Sequence, residues 1–221
     1  MAHDGSSYDA RKETNDLPGF GAEGIELLEE TPQYDGFYRV RRCTFRHRLF
    51  NGGWSGEVVR EIVRRNPVAG VLPYDPKADA VVLISQVRIP SHLAGGPSWP
   101  LEVVAGICDK EETLEELAHR ELEEEAGLTA SRIKEVASYF PSPGGSTERV
   151  TLFVAQVDSR SAGGKFGLDH EHEDIMAKVY PCQEIWQRMD SGSIDNAMTL
   201  IALQWLRLNH ETLRREWARP L

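Results

Sequence analysis

Hydrophobic and polar positions follow two different periods along this chain, and the switches between them mark its elements. AGVLPYD and AVVLISQVRI are apolar, β-rich runs joined by the turn text PKAD, which predicts a hairpin. Further strands are predicted over 101–105, 133–139, 150–157 and 175–179. A helical period appears over 113–126, again around 183–189, and over 196–217 with Leu200, Leu203, Trp205, Leu206 and Leu213. Upstream, residues 25–36 read as partly extended, and FYRVRRCTFRHRLFN alternates imperfectly between apolar and basic residues. Gly52–Gly53 is a turn and 54–65 another strand. The order predicts an α/β fold with a mixed sheet between helices, preceded by a small N-terminal antiparallel β-sheet. The expected domains are a mobile N-terminus over 1–20, the small sheet over 21–65 and the main domain over 66–221. A sheet of two or three strands needs a partner surface to be stable, so it is expected to pack on a second protomer.

The helix over 113–126 carries an anomaly. Thr113 with Glu116 three residues on makes a capping box, and Gly127 followed by Leu128 makes a helix stop. At about 100° per residue, Leu114, Leu117, Ala118 and Leu122 form one apolar stripe. Glu121 and Glu125 fall near the middle of that stripe, and Glu124 on its edge. Carboxylates facing a core need a cation or a proton. The i, i+3 and i+4 spacing bunches three like charges, which hard, oxygen-preferring cations such as Mg²⁺ or Mn²⁺ would reconcile. Glu111, Glu112, Glu115, Glu116 and Glu123 read instead as a solvated face.

Charge sharpens this picture. The net charge is −10, yet residues 109–125 hold nine acids against Lys110 and Arg120, so most of the acidity belongs to this helix. No basic stripe with interleaved aromatics appears, which disfavours nucleic acid as a partner. The 221 residues contain no apolar run near the ~20 of a membrane span, and no membrane partner is expected. Cys43, Cys108 and Cys182 are scattered without C-x-x-C spacing, so neither a disulfide framework nor a zinc site is expected and a reducing cytoplasm fits. Residues 158–174 form a long loop with Gly163, Gly164 and Gly167, followed by Asp169, His170, Glu171, His172, Glu173 and Asp174. Such a loop is either solvated charge or a mobile lid.

The helix and its approach also resemble the Nudix box, G-x5-E-x7-R-E-U-x-E-E-x-G-U with U aliphatic. Gly106, Glu112, Arg120-Glu121-Leu122, Glu124-Glu125, Gly127 and Leu128 fill every specified position. Outside the box, FRHRLFNG, QVRIP, LEVVAG, SPGG, GLDHEHED and ALQWL are similar to the ADP-ribose pyrophosphatase branch of that family. The resemblance implies a Nudix α/β/α sandwich and a homodimer with swapped N-terminal sheets. It implies cleavage of ADP-ribose to AMP and ribose 5-phosphate with Mg²⁺, or alternatively Mn²⁺.

By the same resemblance, the metal ligands are the Ala105 carbonyl, Glu121, Glu124, Glu125 and Glu171. Glu171 is the expected base for the attacking water, Glu173 the second candidate, and His170 or His172 the third. The family's rigid E-x-P-A-G turn is replaced here by Glu102-Val103-Val104-Ala105-Gly106. Arg88 resembles a phosphate-binding arginine and Glu148 a glutamate near the metals, while Arg60, Glu61 and Phe37 or Tyr38 would reach the adenine from the partner's sheet. Phe37 reads equally as a core residue, and Arg64 and Arg65 as solvent-exposed. Two other functions stay open: another nucleotide-sugar diphosphatase, such as one acting on GDP-mannose, and an ADP-ribose-sensing binding protein.

Overall fold

The computed structural model describes residues 19–168 and 172–217. The chain divides into two compact units between Arg64 and Arg65. The first holds one antiparallel sheet of β1 (Ile25–Asp35), β2 (Arg39–His47) and β3 (Val58–Arg64), in that spatial order. Pro32 is tolerated in β1 because that strand lies on the sheet edge, where a missing N–H costs no ladder bond. Arginines of β2 and β3 pair with acids of β1, as in Arg46–Glu26, Arg41–Asp35 and Arg64–Glu30. Among the strand residues Cys43 alone is buried. Ile25, Leu27, Leu28, Tyr34 and Val59 are exposed, so this sheet has no core of its own.

The second unit is built on a mixed sheet of eight strands. They are β4 (Val68–Asp75), β5 (Ala80–Ser85), β6 (Leu101–Glu102), β7 (Val104–Ile107), β8 (Arg132–Tyr139), β9 (Val150–Gln156), β10 (Gly164–Phe166) and β11 (Ile175–Pro181). The order is β10-β11-β5-β4-β9-β8, with β6 on β5 and β7 on β4. β4 and β9 run parallel, and the other pairs are antiparallel. The helices are α1 (Ile89–Leu93), α2 (Leu114–Ala126), α3 (Cys182–Asp190) and α4 (Ala197–Trp217).

Alternation along the central strands feeds two cores. Leu72, Tyr74, Val81, Leu83, Leu152 and Val154 meet Ile185, Leu203, Leu206 and Trp217 of α3 and α4 on one face. Ala69, Val71, Val82, Ile84, Phe153 and Ala155 meet Leu117, Ala118, Leu122 and Ala126 of α2 on the other. This is why β4 and β5 read as continuous apolar runs: covered on both faces, β4 buries every residue and β5 all but Ser85. The result is the expected α/β/α sandwich with a separate N-terminal sheet. Among the described residues, no helix is long and apolar enough to cross a membrane.

The structure corrects several expected boundaries. The strand predicted through QVRI ends at Ser85, and Arg88 caps a one-turn helix with Pro90 in its first turn. The strand expected over 101–105 breaks at Val103, so that β6 pairs with β5 and β7 with β4. The long loop contains an edge strand, β10, bonded to β11. Arg65 is not plainly exposed: its side chain is mostly buried and pairs with Glu148 at 3.1 Å. Phe37 is not core in this chain, since it is 81% exposed beside Tyr38.

Candidate metal centre and active site

The box helix begins and ends where its local chemistry dictates. Thr113 Oγ1 accepts the Glu116 N–H, and the Glu116 carboxylate accepts the Thr113 N–H at 2.8 Å. At the other end Gly127 adopts φ +61°, a left-handed conformation, and the Leu128 N–H reaches back to the Leu122 carbonyl at 3.0 Å. Capped at both ends, α2 is a rigid rod that packs its apolar stripe under β4 and β7.

Two carboxylates ride on the packed side of that rod. Glu125 is buried, at 3% exposure, and Glu121 is mostly buried. Glu125 Oε2 accepts the Ala105 N–H at 3.0 Å, and Gln86 Nε2 lies 3.4 Å from Oε1. Burial pushes the Glu125 carboxyl up to about 8; the Ala105 bond lowers it, and the charges of Glu121 and Glu173 add to the rise. Burial likewise raises Glu121, partly offset by Arg120 and reinforced by Glu124 and Glu173. Glu121 lies flat against β7, where a Cβ at Gly106 would overlap its carboxyl group.

Arg120 is the cation of this cluster. Its guanidinium donates to Glu112 at 2.8 Å, to Glu121 at 2.9 Å and to Glu124 at 2.8 Å. One positive charge is thus shared among three carboxylates, while among the described residues neither Glu125 nor Glu173 forms an ion pair. Glu112, read from sequence as solvated, is instead drawn in as the outer anchor of Arg120. The helical offset of eight residues gave no warning, because Glu112 precedes the helix and reaches back onto it.

The stem of the long loop closes over the same end of α2. The Phe166 ring stands so close to Gly127 that any side chain there would meet it. The Gly167 N–H points to the Glu124 carbonyl at 3.4 Å. Glu173 exchanges bonds with Leu168, which ties the stem together. This brings the charge of Glu173 to bear on Glu121 and Glu125. Glu171, like Asp169 and His170, lies outside the described residues. His172 is described, with φ +57°.

Of the remaining expected residues, Arg88 stands beyond the end of β5 with its side chain nearly half exposed, and its Nε donates to Glu102 at 2.9 Å. Its charge is felt at Glu125, which places it beside the carboxylate cluster. Glu148 is engaged by Arg65, a pair too distant in sequence to anticipate. In the N-terminal unit Arg60 and Glu61 are neighbours on β3 and project to opposite faces. Because β3 is an edge strand, only a ligand at that edge can meet both.

A second group with ligating atoms lies at the other end of β4. Asp79, Cys182 and His210 bring their donor atoms within 4.8 Å of one another and could coordinate a metal ion. As it stands, the group is a hydrogen-bonded lock. Asp79 Oδ1 lies 2.6 Å from His210 Nε2 and accepts from the Tyr74 hydroxyl at 3.2 Å. Arg214 is 3.7 Å from Asp79 Oδ2, a charge that works against a cation. Burial pushes the Cys182 thiol up, so it is held as a neutral thiol.

The NUDIX domain matches residues 64–199. The ADP-ribose pyrophosphatase of Escherichia coli (strain K12) is 45% identical over 199 residues, covering 90% of this chain and 95% of that protein. The ADP-ribose pyrophosphatase of Haemophilus influenzae is 42% identical over 212 residues, covering 95% and 98%. A GDP-mannose pyrophosphatase of Cronobacter sakazakii is 32% identical over 188 residues, covering 83% and 95%. The crystal structure of an ADP compounds hydrolase superposes with a TM-score of 0.69 over 90% of this chain and 98% of its own, at 20% identity, which speaks for the fold alone. On the domain match and these relatives together, the chain belongs to the Nudix family.

Proposed function

We propose that this chain is a metal-dependent ADP-ribose pyrophosphatase that cuts its substrate to AMP and ribose 5-phosphate. The observation that carries the reaction class is the buried Glu125 with the mostly buried Glu121, set beside Glu173, with the single guanidinium of Arg120 shared among Glu112, Glu121 and Glu124. Such a cluster is unfavourable as it stands and becomes favourable around a cation. An all-oxygen donor set suits Mg²⁺, with Mn²⁺ as the alternative. The Ala105 carbonyl, Glu121, Glu124, Glu125 and Glu171 would hold it. The choice of substrate rests on the two ADP-ribose pyrophosphatases, which are more similar to this chain than the GDP-mannose enzyme is.

Bound there, the metal would neutralise the diphosphate and acidify the attacking water. The chain's own residues do the rest. Arg88 presents its planar fork to a phosphate. Arg120 holds the glutamates in place through its three ion pairs. Glu171 takes the proton from the water, with Glu173 as second candidate and His170 or His172 behind them. Glu148, paired with Arg65, has a minor part near the metals.

The N-terminal sheet, lacking a core, pairs with a second copy of the chain to form a homodimer and brings Phe37, Arg60 and Glu61 to the adenine of the partner's substrate. The exposed apolar residues of that sheet support this reading. Three free thiols are in keeping with a cytoplasmic enzyme. A binding protein that only senses ADP-ribose has no need of a complete set of box glutamates. The test is a panel of nucleoside diphosphate derivatives with Mg²⁺, scored by released mononucleotide. AMP from ADP-ribose at the highest kcat/KM supports the proposal; GMP from GDP-mannose at a higher value overturns it.

A further inference from the structure

Asn196 caps α4, and it also does something a cap does not require. Its carbonyl accepts the Leu200 N–H at 2.9 Å, and its side-chain Oδ1 accepts from the Thr199 N–H at 3.0 Å and the Thr199 hydroxyl at 3.1 Å. The other end of the same amide, Nδ2, donates to Glu102 Oε1 at 3.0 Å. The second oxygen of Glu102 accepts from Arg88 Nε at 2.9 Å. Thr199 Oγ1 in turn accepts the N–H of Val103, the residue at the break between β6 and β7. The start of the last helix is therefore tied to the strand that leads into the box, 94 residues earlier in the chain.

We infer that Asn196 is a positioning residue for substrate binding, holding Glu102 so that Glu102 in turn aims the Arg88 guanidinium at the diphosphate. This rests on the proposed role of Arg88 in gripping a phosphate. Glu102 is buried, at 7% exposure, whereas the Arg88 side chain reaches solvent. A buried carboxylate with both oxygens engaged, one by a rigid helix start, is a fixed mount for a movable cation. Only Nε of Arg88 is used by Glu102, which leaves the two terminal amino groups to face a ligand anion. Burial pushes the Glu102 carboxyl up, and Arg88 and Asn196 both pull against that rise, so each contact helps keep it ionised for the other.

The residue type is itself telling. Aspartate and serine cap helices as well as asparagine does. An ionised aspartate, however, has no proton to donate, and serine has one short oxygen where the asparagine amide offers a capping acceptor and a separate donor to Glu102. Aspartate would set a second carboxylate against it. The substitutions Asn196→Asp and Asn196→Ser therefore separate capping from positioning. Both are expected to retain the helical circular dichroism of the wild type. Both should raise KM by about tenfold, the low end for a lost hydrogen bond to a charged group. kcat should change by less than about threefold, since uniform binding is what is lost. In an Arg88→Ala background the same substitutions should have no further effect on KM, because the relay ends at that side chain.

KM is measured with whichever nucleotide sugar the wild type turns over. A wrong substrate assignment then shows in the wild-type panel, and a wrong role for Asn196 in the ratio of variant to wild type. Wild-type KM in both variants overturns the inference. So does a KM increase that persists in full when Arg88 is alanine.

Discussion

Gly106 and Glu121 occupy one space: the carboxyl group of Glu121 lies where a side chain at position 106 would begin. The spacing between the box glycine and this glutamate thus has a steric reason in this molecule. β7 must present bare backbone for the carboxylate to lie flat against it. Gly106→Ala is expected to displace Glu121 from the cluster while leaving β7 paired to β4. Steady-state kinetics should show a loss of about 10- to 100-fold in activity or metal affinity, the usual cost of disturbing the support of a metal site. Wild-type activity in Gly106→Ala would contradict this packing.

Glu125 makes the metal-free protein sensitive to alkali. Its folded-state carboxyl is raised to about 8, above its unfolded value. Between those two values the folded state binds the extra proton, so this group's stabilising contribution is full at low pH and is lost as pH rises through about 8. In EDTA, the thermal midpoint should fall between about pH 5 and pH 8.5 from this source. Glu125→Gln, which cannot ionise, should flatten that part of the profile and remove activity. Added Mg²⁺ should restore the midpoint of the wild type at the alkaline end and not that of the variant. A profile unchanged by Glu125→Gln would show that the carboxyl does not titrate in this window.

Arg120 is a fork with three partners, and a point charge cannot replace it. Arg120→Lys keeps the charge but cannot serve Glu112, Glu121 and Glu124 in one plane. It should lose about 10-fold or more in kcat/KM and require more Mg²⁺ for half-maximal activity. If lysine serves as well as arginine, the geometry of the fork is irrelevant to the site.

The base can be assigned by comparing two glutamates of one loop. Glu173 is tied to Leu168 and its charge reaches Glu121 and Glu125, which suits a fixed contributor to the metal cluster. Glu171→Gln should cost about 10²–10⁴-fold in kcat, as expected for a general base. Glu173→Gln should act mainly through Mg²⁺ affinity. The reverse pattern in kcat and Mg²⁺ dependence would exchange the two roles.

What the chain discloses by itself depends on the range of the interactions involved. The Thr113–Glu116 box and the Gly127 stop are local chemistry, and α2 spans the residues they bracket. Continuous apolar runs announced β4 and β5 because both faces of these strands are covered. QVRIP misled because Val87 and Ile89 are apolar, although Pro90 and the exposed surroundings take the chain out of the sheet. β10 was hidden in a glycine-rich loop, since a three-residue edge strand has too few side chains to show a period.

Within the site, the glutamates of α2 were visible because a helix places i, i+3 and i+4 together. The pairs Arg65–Glu148 and Asn196–Glu102 bridge 83 and 94 positions, and no local pattern announces such partners. Phe37, Arg60 and Glu61 are expected to face the substrate on resemblance alone, and all three are exposed.

We propose that Glu121 and Glu125 of α2 bind a divalent ion for pyrophosphate hydrolysis. The decisive experiment is AMP release from ADP-ribose across a Mg²⁺ titration, run in parallel for the wild type, Glu121→Gln and Glu125→Gln. Saturable, Mg²⁺-dependent release by the wild type and a loss of at least about 100-fold in each variant is the predicted result. Full turnover by either variant, or wild-type release indifferent to Mg²⁺ and EDTA, would contradict it.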